Sequence, residues 1–461
     1  MTYKKIGVLI DSGPCDWQIL QQAANGFASV RLAGRWYAQD NMRRVEVRVV
    51  WEATSAPVTE SLDWSPVQMN DDNTWSITLT DIPAGGPYRI ETRVWRRGGP
   101  DERPLRGDYI HHLGVGDLWC IAGQSNASGT GLGIVDDGPE LGVHLFGNDE
   151  KWKLACHPIE DATNTLHPIT ITGIFHGHSP WLVFAKALKK HLAIPIGLIP
   201  TALGGSALRL WNPKDKGKPV LYENMMDMIA KAGGRIKGIV WYQGESDANS
   251  ENAAGYKGRF AQFVSCVRKD LSSPDLPILT AQLSRCTTPA PSKEIDRAWT
   301  VLREQQRQAA RERPNVHVIP TLDLPLSDEI HISAPGCVTL GRRFADVALG
   351  RVYGHPASDT FPEITSAEFR DRERRELVLR FDHVPGGWRP LKPPEGFSVE
   401  GPDGFIPIEK ADYGEGAEII LRLAGSAENP ITVHGGYGRN PDVSVRDANQ
   451  RPFVAFSVQV E

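Results

Sequence analysis

Five short apolar runs recur through the middle of this 461-residue chain, at residues 118–122, 196–202, 236–242, 278–283 and 316–319. Each is the length of a strand, and each leads into a turn or a helix-like segment. Helical periodicity lies between them. Residues 181–192 form one such segment. Ala298, Val301, Leu302, Gln305 and Ala309 mark the stripe of another, and Leu340, Phe344, Val347 and Ala348 carry a third over 340–350. Strand and helix in alternation predict a mainly parallel sheet with helices on both faces, here over residues 113–355.

The flanks follow a different period. Val45, Val47 and Val49 alternate with Glu46 and Arg48; Trp75, Ile77 and Leu79 alternate with Ser76 and Thr78; Ile90, Thr92 and Val94 alternate with Arg89, Glu91 and Arg93. Period-2 alternation marks half-buried strands, and the turn clusters at 70–73 and 84–87 separate them. A β-sandwich-like N-terminal domain at 1–112 follows. Beyond 355 the β pattern returns in Leu377, Leu379 and Phe381, at 419–423 and at 431–433. This predicts a smaller C-terminal β-domain over 356–461.

Composition excludes some classes. The formal net charge of -5 provides no basic field for nucleic acid or an anionic membrane. The apolar run at residues 6–10 is too short for a signal core or a membrane helix. For the chain as given this predicts a cytoplasmic protein, although a leader already removed would leave the same sequence. The six cysteines form no CxxC pair and no zinc spacing. They read mainly as buried thiols, Cys120 among them. Thirteen tryptophans are enough to furnish flat platforms for sugar rings or to pack β-domain cores. The oligomeric state is open.

Four motifs carry chemistry. They are Gly123-Gln124-Ser125-Asn126, Gly204-Gly205-Ser206, Tyr242-Gln243-Gly244-Glu245-Ser246 and Asp328-Glu329-Ile330-His331. Ser125 follows a strand in a tight turn, a good position for a nucleophile at the carboxyl end of a sheet. A serine hydroxyl needs a base, and His331 is the candidate, with Asp328 three residues ahead to hold its tautomer. Gly205 allows close backbone approach, so its N–H, the Ser125 N–H and the Gln243 amide are candidate oxyanion donors. Glu245 has three readings: orienting the oxyanion loop, pairing with Arg209, or standing near His331 as a second acid. Trp211 either shapes a substrate pocket or packs the core, and Arg209 is a second candidate substrate contact. No metal-ligand cluster is visible, and no cofactor is expected.

The order GQSN, GGS with a following Trp, WYQGES and DxxH resembles the sialate O-acetylesterase family, within the wider SGNH hydrolases. That group overlaps carbohydrate acetylesterases acting on plant polysaccharides. The resemblance covers roughly 117–350 and extends to the strand at 194–199 and the helix segment at 302–306. It implies an SGNH-type three-layer α/β/α catalytic domain. Ser125 would be the nucleophile, His331 the base, Asp328 its orienting acid, and Gly205 part of the oxyanion hole. The substrate would be an acetylated carbohydrate. Gln243 stands where the superfamily name places an Asn, and Glu329-Ile330-His331-Ile332 replaces the relatives' Asp-Ile-His-Pro, so Glu329 stays open as the acid. Two other readings are an aryl or lipase-like esterase with the same machinery and a non-catalytic carbohydrate-binding protein.

Overall fold

The computed structural model describes residues 7–37, 42–96, 104–171, 177–215, 217–288, 292–356, 359–389 and 392–460. Ile6 of the N-terminal apolar run lies outside them, as do residues 172–176 and 289–291. The fold is mixed α/β with several sheets.

All five apolar runs form strands of one sheet. In chain order its strands are β1 (Leu105–Gly123), β2 (Val143–Phe146), β3 (Trp152–Leu154), β4 (Ile196–Pro200), β5 (Gly238–Tyr242), β6 (Ile278–Ala281) and β7 (Val316–Ile319). The spatial order is β3-β2-β4-β1-β5-β6-β7. All pairs along this order are parallel except the β2–β3 edge. The chain goes to one side of β1 for β4 and to the other side for β5. The carboxyl end of β1 is therefore a topological switch point, where open α/β sheets form their crevices.

Helices α1 (Ser125–Ser128), α2 (Trp181–Leu192), α3 (Val220–Lys231), α4 (Tyr256–Asp270), α5 (Lys293–Glu312) and α6 (Ala334–Val347) complete this region. Strand side chains alternate between two apolar clusters. Leu118, Cys120 and Trp241 pack with α3, α4 and α5, whereas Trp119, Ile121 and Tyr242 pack with α2 and α6. In the second cluster Trp181 meets Phe344 edge to face at 5.0 Å, a geometry that adds about 0.5–1.5 kcal/mol beyond burial.

The expected boundary near residue 112 falls inside β1. The amino-terminal half of that strand pairs antiparallel with Gly85–Arg96, and its carboxyl half pairs parallel with β4 and β5. Two N-terminal sheets share one apolar cluster that includes Val8, Leu32, Val47, Trp75 and Ile90. Two four-stranded C-terminal sheets share another, with Leu379, Val399, Leu421 and Phe456. The thiols divide more evenly than expected. Cys120, Cys286 and Cys337 are buried, but Cys15 and Cys156 are exposed, and none of the six is paired. Among the described residues no helix is long and apolar enough to cross a membrane.

Candidate active site

Gly123 ends β1 at φ 131°, and a Cβ there would stand 2.1 Å from the Tyr242 carbonyl oxygen. Only glycine allows β1 and β5 to run this close and then turn. The turn is fixed from several sides. Gln124 Oε1 accepts the N–H groups of Gly244 and Ser246, each at 3.3 Å. Trp181 Nε1 donates to the Ala127 carbonyl at 2.6 Å, so the first residue of α2 holds the first turn of α1.

Ser125, His331 and Asp328 meet at this end of the sheet, although the serine and the histidine are 206 positions apart. Ser125 Oγ lies 2.9 Å from His331 Nε2, and His331 Nδ1 lies 2.7 Å from Asp328 Oδ2. The other Asp328 oxygen accepts the backbone N–H of Ile330 at 2.9 Å and of His331 at 2.7 Å. With Nδ1 protonated, the imidazole presents a lone pair to the serine hydroxyl. Partial burial alone would raise the Asp328 carboxyl. The two N–H donors and the imidazole outweigh it and hold the carboxyl below its usual range. The Glu329 side chain is exposed, and that residue is engaged through its carbonyl, which accepts the Thr287 N–H at 2.7 Å.

A cleft of about 660 Å³ opens over these groups, lined by Ser125, Thr130, Leu132, Gly205, Glu245 and His331 among others. Gly205 adopts φ 69°, a left-handed conformation suited to glycine. The N–H groups of Ser125 and Gly205 donate to no other described residue, and both residues line the cleft.

The structure corrects the expectations for Gln243 and Arg209 and decides between the two readings of Trp211. The Gln243 amide does not reach the cleft. The residue is fully buried, and its Nε2 donates to Asp247 Oδ2 at 2.6 Å and to the Ser206 carbonyl at 3.1 Å. Both amide hydrogens are spent inside the protein. Trp211 is also fully buried, edge to face with Trp241 at 5.3 Å and donating to Ser206 Oγ at 3.1 Å. It packs the core and touches no substrate space. Arg209, on the short turn between Leu208 and Trp211, is exposed outside the cleft lining. No ion pair joins it to Glu245 among the described residues. No tryptophan lines the cleft among the described residues, so the indoles near it serve packing.

Several organising residues escaped the sequence reading. Asn126 Nδ2 donates to Glu245 Oε1 at 2.7 Å and to the Ile330 carbonyl at 3.3 Å, while its Oδ1 accepts the Ile332 N–H at 3.0 Å. It thus brackets His331 from both sides. Asp247 accepts the Leu208 N–H at 2.7 Å together with the Gln243 amide, tying the Gly205 loop to the end of β5. Gln306 of α5 donates to the Gln243 carbonyl at 3.0 Å and accepts the Leu283 N–H at 2.8 Å. The available signal was their polarity inside or beside motifs bounded by apolar runs. Burial pushes the Glu245 carboxyl up, and the Asn126 hydrogen bond and nearby His331 offset only part of this.

A sheet crevice holding a serine, an imidazole and a carboxylate in hydrogen-bonded series defines a hydrolase-type site, and comparison with known proteins specifies it. Residues 115–350 match the family described as carbohydrate esterase, sialic acid-specific acetylesterase. The chain belongs to this family, and it is an esterase. A probable carbohydrate esterase of Arabidopsis thaliana is 29% identical over 256 residues, covering 50% of this chain and 90% of that protein. Human sialate O-acetylesterase is 26% identical over 213 residues, which span 38% of this chain and only 39% of the human protein. A carbohydrate acetylesterase from Xanthomonas citri shares the fold along nearly the whole length. Its TM-score is 0.69 at 22% identity, covering 96% of this chain and 98% of that one.

Proposed function

We propose that the protein is a serine-dependent carbohydrate O-acetylesterase that works through an acetyl-serine intermediate. The observation that carries this reading is the continuous series Asp328–His331–Ser125, with 2.7 Å and 2.9 Å links opening onto the cleft. Ser125 attacks the acetyl carbonyl while His331 takes the hydroxyl proton and Asp328 steadies the imidazolium. The oxyanion rests on the N–H groups of Ser125 and Gly205, each worth about 2.7–4 kcal/mol in such sites. His331 returns the proton to the departing sugar alcohol. It then takes one from the water that cleaves the acyl-serine.

The same reading treats 113–355 as an SGNH-type three-layer α/β/α unit between β-sandwich-like units at 1–112 and 356–461. The two apolar clusters on opposite faces of the sheet support the layers. The substrate class is an acetyl ester on a sugar, of a sialic acid or a plant polysaccharide.

Acetate release from a panel of acetylated sialic acids, xylan, mannan and pectin tests both parts. The expected result is turnover on at least one glycan, reduced by about 10⁴-fold or more in a folded Ser125→Ala protein. Wild-type turnover in that variant would end the nucleophile assignment. Activity confined to aryl esters would end the carbohydrate assignment.

A further inference from the structure

A polar cluster lies beside the rim of the cleft and takes no part in the relay. The rim segment carrying Thr130 and Leu132 continues to Asp137. Gly131 and His178 exchange backbone hydrogen bonds of 3.1 and 2.8 Å across it. The Asp137 side chain is only 3% exposed, and its Oδ2 stands 3.1 Å from His157 Nε2 and 3.2 Å from His178 Nε2. The two imidazoles lie close together, with ring centroids 3.8 Å apart and planes tilted by 34°. Lys186 of α2 holds the other Asp137 oxygen at 2.9 Å and the Gly138 carbonyl at 3.0 Å. It fixes the carboxylate and leaves Oδ2 to the imidazoles. None of the three residues lines the cleft.

His178 makes this more than a charge network. Its side chain is 9% exposed, yet neither ring nitrogen has a hydrogen-bond partner among the described residues. The Asp137 oxygen is near Nε2 but off the line a hydrogen bond needs. A buried unsatisfied nitrogen of this kind is unfavourable unless something else meets it. Two imidazoles and a carboxylate are a zinc-type donor set. With metal–ligand bonds of about 2.0–2.1 Å, neighbouring ligand atoms of a tetrahedral site stand roughly 3.3 Å apart. The observed 3.1 and 3.2 Å separations match that edge.

We propose that Asp137 Oδ2, His157 Nε2 and His178 Nε2 bind one zinc-class divalent cation, which staples the cleft rim to the segments at 157 and 178. Water completes the coordination, and the ion positions Thr130 and Leu132 without touching reacting atoms. A second group, Glu150, His167 and Asp227, makes a useful contrast. There the Lys231 ammonium bridges both carboxylates, at 2.5 and 2.7 Å, and occupies the cation's place.

The test is calorimetric titration of chelator-treated, dialysed protein with zinc chloride. One equivalent should bind, with no comparable heat from magnesium or calcium chloride, and zinc should raise the melting temperature. Asp137→Asn and His157→Gln should each abolish the isotherm, whereas His167→Gln should keep it. Absence of zinc binding by the wild type overturns the proposal, as does wild-type binding by either of the first two variants. Should those variants fail to fold, X-ray absorption on the zinc-loaded wild type decides. Two nitrogen and at least one oxygen donor at about 2.0–2.1 Å support the site, and sulfur or all-oxygen coordination overturns it.

Discussion

Ser125 and His331 are 2.9 Å apart but come from opposite mechanical settings. The serine turn is walled in by Gln124, Asn126, Gln243 and Asp247, each under 5% exposed and each hydrogen-bonded to a neighbouring motif. The histidine loop is a surface turn whose Asp328 side chain is 45% exposed. The proposed nucleophile and oxyanion donors, Ser125 and Gly205, thus rest on buried polar bonds, where each loss leaves a donor stranded. His331, the proposed base, rests on a short local turn, held by the backbone donors of Ile330 and His331 and bracketed by Asn126. Changes on the exposed side should cost rate with little stability, and changes on the buried side should cost both.

The sharpest test of that contrast is Asp328→Asn. It should lower kcat by roughly 10³–10⁴-fold, because the imidazole loses its orienting carboxylate. The melting temperature should barely move. Glu329→Gln should stay near wild type in both, and a large rate loss there would transfer the acid role to Glu329. On the buried side, Asp247→Ala strands the Leu208 N–H and the Gln243 amide. It should destabilise the protein by about 2–5 kcal/mol in chemical denaturation. A stability loss no greater than that of Asp328→Asn would break the comparison.

Asn126→Ala joins the two settings. It should cost about 1–3 kcal/mol of stability and about 10–100-fold in kcat with KM little changed, since the histidine loop loses its bracket. The smallest effect expected is from Glu160→Gln. Glu160 is fully buried, and desolvation raises its carboxyl well above the usual range despite a hydrogen bond from Asn148 and one from the backbone of Ala202, just before the Gly205 loop. A raised carboxyl favours the fold while protonated. That contribution is present below the ordinary carboxylate value and is lost as pH rises through the elevated one. Melting profiles against pH should show the wild type losing stability over that rise. Glu160→Gln should flatten the slope and match wild type at acid pH.

The sheet was readable because its strands are buried on both sides, so residues 118–122, 196–202, 236–242, 278–283 and 316–319 had to be apolar throughout. The DxxH spacing was readable because its turn is local: two of the three groups meeting the Asp328 carboxylate come from His331 itself and the third from Ile330. Gln243 was misplaced and Trp211 left open for a common reason. A tryptophan next to a motif, or an amide at a strand end, carries no mark of which way its side chain turns. That is set by Ser206, Asp247 and Trp241, which reach it from other segments. Asn126 was quoted within its motif yet given no role, since its partners lie 119 and more than 200 residues away.

The sequence by itself determined the alternation of strand and helix, the four polar motifs that follow apolar runs, and the spacing that lets Asp328 fold back on His331. Local periodicity and short-range turn chemistry suffice for these. Only the tertiary structure decided which residues line the cleft, which acid meets the imidazole, that β1 runs unbroken from an antiparallel sheet into a parallel one, and that Asp137, His157 and His178 converge. Those outcomes depend on the direction a side chain takes once distant segments pack, and that direction is fixed by long-range burial and hydrogen bonding.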